Sequence, residues 1–165
     1  MRPRSLEETA ACLTPVLTFP GLPKPDFAVA APIVCYPEEY RLLIEVRASG
    51  ISQAGDPCFP GGRIEPGETP RQAAARELRE ELGITPACML GQLPTVNTWL
   101  GSRTDVFVCL VTPEASANAR PNPGEVAVLL QPKLEFYLCV LITLLRALKV
   151  LPSQKALQDN HQLRY

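Results

Sequence analysis

The sequence has no basic excess: 16 lysines and arginines stand against 17 aspartates and glutamates, a formal net charge of −1. A nucleic-acid surface calls for such an excess, so no nucleic-acid partner is expected. A small anionic substrate stays open, because a bound metal can supply positive charge locally. There is also no CxxC pair among the six cysteines, Cys12, Cys35, Cys58, Cys88, Cys109 and Cys139. Most lie in apolar surroundings and read as free buried thiols in a reducing compartment, not as a disulfide framework. Long apolar runs are missing too. The most apolar stretch, Leu134 to Leu145, is interrupted by Glu135 and followed by Arg146 and Lys149; a bilayer span needs roughly 20 residues. Met1 to Phe19 carries Glu7 and Glu8 early and lacks the pattern of a signal peptide. A cytoplasmic protein with no membrane partner is therefore expected. The only histidine, His161, lies in a polar tail and offers no basis for catalysis.

With 165 residues, 46% hydrophobic and 20% charged, the chain has the composition of a folded domain with a core. No internal repeat or long linker divides it. A single domain over 1–165 is expected, with 1–25 as an extended, proline-rich lead-in and 152–165 as a polar tail. Phe27 to Cys35 and Tyr40 to Val46 read as strands joined by a turn at Pro37-Glu38-Glu39, hence antiparallel. Pro32 would place the first at a sheet edge or a bulge. Ala48 to Pro57 reads as a loop. Further strands are expected over Leu90 to Trp99, Arg103 to Val111 and Val126 to Leu130, with a polar loop at Pro113 to Pro123. Leu134 to Val150 reads as a long helix, apolar around most of its circumference. Such a helix is either buried or shared with a partner, so homodimerisation is one of two expectations.

The clearest helix runs from Thr69 to Leu82. Thr69 suits the N-cap, Pro70 the first helical position, Gln72 completes a capping box, and Gly83 supplies the stop. On this helix Glu77, Glu80 and Glu81 fall within an arc of about 100°, while Ala75, Leu78 and Leu82 occupy a neighbouring arc that can pack on a sheet. Like charges so spaced repel. A solvated acidic face with Arg76 and Arg79 as ion-pair partners would account for that hexapeptide alone. The preceding segment, Phe59-Pro60-Gly61-Gly62-Arg63-Ile64-Glu65-Pro66-Gly67-Glu68, argues for more. Its glycines allow a close approach to the helix, and Glu68 meets the favourable end of the helix dipole. Clustered carboxylates are hard ligands suited to Mg2+ or Mn2+, and such a metal site suits hydrolysis of a phosphate anhydride.

The segment resembles the Nudix signature at every fixed position: Gly62, Glu68, Arg76, Glu77, Leu78, Glu80, Glu81, Gly83 and Ile84. The resemblance implies an α/β fold, the Nudix α/β/α sandwich with a mixed sheet between helices. It implies hydrolysis of a nucleoside diphosphate linked to another moiety, with Glu77, Glu80 and Glu81 binding Mg2+ or Mn2+. Arg76 would orient Glu77 and Glu68 through ion pairs. Glu80 is also among the implied catalytic residues, and Glu77, or a further acidic residue beyond the signature, is expected to assist the water. Glu125 is the first candidate; Asp105 is the second, with a strand-surface charge as its alternative. Arg47, Arg63, Gly61 and Gly62 are candidates for meeting the substrate phosphates, and for the two arginines a surface ion pair is the alternative. Trp99 and Tyr40 are candidates for base stacking or for rim packing.

The run Leu42-Leu43 to Arg47-Ala48, then Gly55 and Phe59-Pro60-Gly61-Gly62, is similar to the motif preceding the signature in coenzyme A pyrophosphatases, as is Gly124-Glu125-Val126-Ala127. That subfamily usually has a Thr after the paired leucines and a basic residue in the loop; here Ile44 and Ser52-Gln53 stand at or near those places. Coenzyme A leads the implied substrates, with ADP-ribose, NADH and oxidised nucleoside triphosphates as alternatives, and a non-catalytic nucleotide-sensing domain as another class. A degenerate domain of that kind should lose a signature carboxylate, and none is lost.

Overall fold

The computed structural model describes residues 25–97 and 102–137. The chain falls into two units, Met1–Pro132 and Lys133–Tyr165. In the first, the strands are β1 (Phe27–Cys35), β2 (Tyr40–Leu42), β3 (Ile44–Arg47), β4 (Pro57–Cys58) and β5 (Gly61–Arg63), followed by helix α1 (Pro70–Leu82). Then come β6 (Cys88–Gln92), β7 (Val96–Asn97), β8 (Arg103–Val111), helix α2 (Pro113–Ala117) and β9 (Val126–Leu130). In the second unit, residues 134–137 are helical. The rest of the long helix expected over Leu134 to Val150 lies outside the described residues, as do the lead-in before residue 25, Trp99, His161 and the polar tail.

Two sheets organise the first unit. The larger is six-stranded and mixed, in the order β2-β1-β8-β6, with β5 also paired to β1 and β7 to β8. The β1–β8 pairing is parallel; the other pairings are antiparallel. The smaller sheet, β4-β3-β9, is antiparallel throughout. Central strands β1 and β8 are buried over most of their length, above all along Ala30–Val34 and Phe107–Val111, as apolar runs of strands covered on both faces are.

Pro32 does not mark an edge. It sits inside β1, opposite Cys109 of the parallel neighbour. On its other side β5 pairs only as far as Val29 and β2 begins only at Ile33. Its carbonyl accepts from Leu43 N on that side, so the missing N–H falls where one partner strand gives way to the next. The single strand expected over Tyr40 to Val46 is two strands. Leu43, fully buried, is the joint, and beyond it the chain leaves the large sheet for the small one. The expected strand over Leu90 to Trp99 is likewise broken, with Leu93 bonded to Val106 between β6 and β7. The expected loop after residue 112 opens with a short helix, α2, because Thr112 caps it by accepting from Ala115 N and Pro113 takes the first helical position.

Helix α1 is bounded as its sequence demands. Thr69 and Gln72 close a reciprocal capping box, and Gly83 ends the helix at φ +69°. Ala73, Ala74, Leu78 and Leu82 bury one face in the cluster that includes Ala28, Ala30, Val34 and Cys109 of the large sheet. The small alanines on both elements allow the helix to lie close to β1.

Candidate active site

The glycine segment and α1 meet at two close approaches. Gly61 pairs with Val29 in the β5–β1 ladder, and its N–H donates to Glu81 Oε2 at 2.8 Å. A Cβ on Gly61 would overlap Val29 and the Ala28 carbonyl; one on Gly62 would overlap the carboxylate of Glu77. Each position therefore admits no side chain as the neighbours stand.

Arg76 is the electrostatic hub of the helix. It donates to Glu68 at 2.9 Å, to Glu77 at 2.8 Å, to Glu80 at 2.9 Å and to the Arg63 carbonyl at 3.1 Å. These bonds, with Glu68 first, hold the guanidinium even more firmly protonated than usual. Glu68, bonded to Arg76 and to the Glu65 amide, has its pKa lowered. The expected orienting ion pairs are thus present. Glu80 faces outward, its side chain 55% exposed, and Glu81 faces inward, only 4% exposed.

Around Glu81 the charges crowd. Burial, then the charge of Glu45, then those of Glu77 and Glu125, push its pKa up to about 8, against the pull of the Gly61 amide. Glu77 is raised by burial and by Glu80 and Glu125, although Arg76 opposes this. Glu125 therefore lies within electrostatic reach of both helix carboxylates. It stands just before β9, where its carbonyl accepts from Ala48 N at 2.8 Å, and a bulge between Val46 and Arg47 shifts the β3–β9 register.

Asp105 stands opposite Ala28, whose partner on the other flank of β1 is Gly62. It is buried in β8, not on a strand surface, and accepts from Thr95 Oγ1 at 2.7 Å. Arg47 donates to the Ser52 carbonyl at 2.8 Å, and Arg63 lies 4.9 Å from the centre of the Phe27 ring. In this arrangement one guanidinium ties the loop after β3 and the other covers an aromatic face.

Sequence reasoning missed Glu45. It is 1% exposed, its Oε1 accepts from Cys58 Sγ at 3.3 Å, and Oε2 has no partner. Burial raises its pKa against the Cys58 hydrogen bond and the charge of Arg47, and the charges of Glu125 and Glu77 add to the rise. One signal was available. Leu43 and Glu45 are two apart, so an extended chain that buries the first directs the second inward.

The donor chemistry fits a hard divalent cation: carboxylate oxygens, mutually repelling, with one buried oxygen unpartnered. As they stand, no three such side chains among the described residues are set for coordination, since Glu77 and Glu80 share Arg76 while Glu81 and Glu45 accept from Gly61 and Cys58.

The NUDIX domain model matches residues 26–136. The chain belongs to the Nudix hydrolase family. It is similar to the 8-oxo-dGTP diphosphatase of Escherichia coli K12, 53% identical over 49 residues, which is 30% of this chain and 38% of that protein. It is also similar to the uncharacterized Nudix hydrolase NudL of Pectobacterium atrosepticum, 34% identical over 113 residues, 66% of this chain and 57% of that one. The chain thus spans about half the length of the curated relatives it matches. Among solved structures, the NUDIX domain of Shewanella oneidensis NrtR with ADP ribose aligns at TM-score 0.56 and 20% identity, over 82% of this chain and 87% of that one. A C. elegans Ap4A hydrolase aligns at TM-score 0.55 and 19% identity, over 75% and 96%. Likenesses at that identity show the fold.

Proposed function

We propose that this domain hydrolyses the diphosphate linkage of a nucleoside diphosphate derivative with the help of Mg2+ or Mn2+, coenzyme A or one of its derivatives being the leading substrate. The observation that carries the reading is the meeting of Glu77, Glu81 and Glu125 charges beside a glycine segment too close-packed for side chains. Glu77, Glu80 and Glu81 would hold the metal, which when bound neutralises charge and acidifies a water. Glu125 or Glu77 would be the carboxylate available to take a proton from a water at the site. Arg76 positions Glu77 and Glu80 by ion pairs, and Gly61 fixes Glu81 through its amide. Gly61, Gly62, Arg47 and Arg63 line the approach for the phosphates, the arginines after release from their present partners.

Coenzyme A is favoured by the similarity of the residues before the signature. Assay of coenzyme A, ADP-ribose, NADH and 8-oxo-dGTP with each metal tests it. Release of 3′,5′-ADP from coenzyme A is expected; none from coenzyme A alongside turnover of another compound replaces the substrate, and no turnover of any supports a nucleotide sensor. A cytoplasmic setting is proposed on the free thiols Cys35, Cys58, Cys88 and Cys109. Among the described residues no helix is long and apolar enough to cross a membrane. A homodimer is proposed on the apolar sequence from Leu134; an 18.0 kDa species by light scattering would remove it.

A further inference from the structure

We propose that Glu45, from the small sheet and outside the Nudix signature, supplies a carboxylate oxygen to the divalent cation held by Glu77 and Glu81. The inference rests on the metal-site reading above and adds a ligand to it.

Three observations converge. First, Glu45 is 1% exposed and its Oε2 has no hydrogen-bond partner. A buried carboxylate oxygen without a donor is costly, and a cation is the partner that recovers the cost. The opposite oxygen accepts from Cys58 Sγ at 3.3 Å, which leaves Oε2 as the oxygen open to another partner. Second, the chain ties Glu45 and Glu81 to one short segment. Glu45 stands opposite Cys58 in the β3–β4 ladder; three residues after Cys58, the Gly61 amide donates to Glu81 Oε2. Third, the charges of Glu77, Glu81 and Glu125 each act on Glu45 or are acted on by it. No arginine of α1 reaches Glu45 by a hydrogen bond or ion pair among the described residues, whereas Glu77 and Glu80 both have Arg76. The one positive charge that acts on Glu45 is that of Arg47, two residues along the same strand, and it does not bond the orphan oxygen.

A purely structural Glu45 would serve only to accept from Cys58. A thiol is a weak donor, and one such bond does not offset the burial of a carboxylate beside three others. The position is explained when a divalent cation joins the site.

The test is Mn2+ binding to the purified protein by isothermal titration, with the melting temperature read with and without Mn2+. Glu45→Gln keeps the shape and removes the charge. It is expected to fold, to melt no lower than wild type without metal, and to weaken Mn2+ binding about tenfold or more. Mn2+ affinity within twofold of wild type would overturn the proposal. Should Glu45→Gln not fold, Glu45→Asp, which withdraws the oxygen by one methylene, is held to the same criterion. Cys58→Ala removes only the thiol donor and is expected to leave Mn2+ affinity within twofold; a loss equal to that of Glu45→Gln would assign Glu45 to positioning the segment and overturn ligation. Glu77→Gln and Glu81→Gln separate this inference from the reading beneath it. If they abolish Mn2+ binding while Glu45→Gln does not, only the ligation by Glu45 fails. If neither weakens binding, the metal-site reading itself fails.

Discussion

Gly62 and Glu77 stand so close that a methyl group on the glycine would overlap the carboxylate. Arg76 holds the same carboxylate oxygen, Oε1, at 2.8 Å. A side chain at residue 62 therefore forces Glu77 off the position it holds. Gly62→Ala is expected to fold nearly as wild type while turnover drops at least about tenfold, the order of loss seen when a ligand is disoriented. Gly61→Ala meets the backbone of Ala28 and Val29 as well as the Val29 side chain and should instead destabilise by about 1–3 kcal/mol, as over-packing does. Paired melting and turnover measurements check the contrast; equal melting losses in both would contradict it.

Arg76 binds partners on both sides of the turn before α1 and along the helix itself. Lysine has the charge but not the planar fork. Arg76→Lys is expected to lower turnover by about tenfold and to raise the metal concentration needed for half-maximal rate, consistent with a positioning role. Unchanged metal dependence would remove Arg76 from that role.

The crowded carboxylates make metal-free stability depend on pH with a definite sign. Glu81 is raised to about 8, and Glu45 and Glu77 are also raised. Between the ordinary carboxylate range and pH 8 the folded state then binds more protons than the unfolded one, so stability falls as pH rises through that window. In chelator the melting temperature should decline from pH 5 to pH 8, and Glu81→Gln should flatten the decline. With Mn2+ present the ionised carboxylates are neutralised and the decline should vanish. Glu68 acts in the opposite sense: its lowered pKa gives stability present above the ordinary carboxylate pKa and lost as pH falls below it. A metal-free melting temperature that rises from pH 5 to pH 8 would contradict the crowding.

The anchoring of α1 is separable from its chemistry. Thr69→Ala removes one half of the capping box and should cost about 1 kcal/mol. Leu78→Ala opens a cavity at a fully buried position and should cost about 2–5 kcal/mol. Thr69→Ala should leave turnover at 25 °C within twofold, because Thr69 touches none of the acidic cluster. Denaturant melts beside initial rates check both.

The boundaries of α1, its capping box and the Arg76 ion pairs were legible because each depends on residues a few places apart. Strand existence at Phe27–Cys35, Arg103–Val111 and Val126–Leu130 was legible from β-branched and apolar runs. The break at Leu43 was not, since the residues on both sides suit a strand equally and only the change of sheet separates them. Pro32 misled for the same reason: its local rule is sound, but whether an N–H is missed depends on which strands flank it.

By itself the sequence determined the helix, the glycine segment before it and the family signature they form, because spacing of about 3.6 residues and chain stops are local properties. Only the tertiary structure decided which distant carboxylates join them. Glu45 and Glu125 reach Glu77 and Glu81 through the pairing of β3 with β4 and β9, and strand pairing is chosen by burial across the whole domain, which no local pattern encodes.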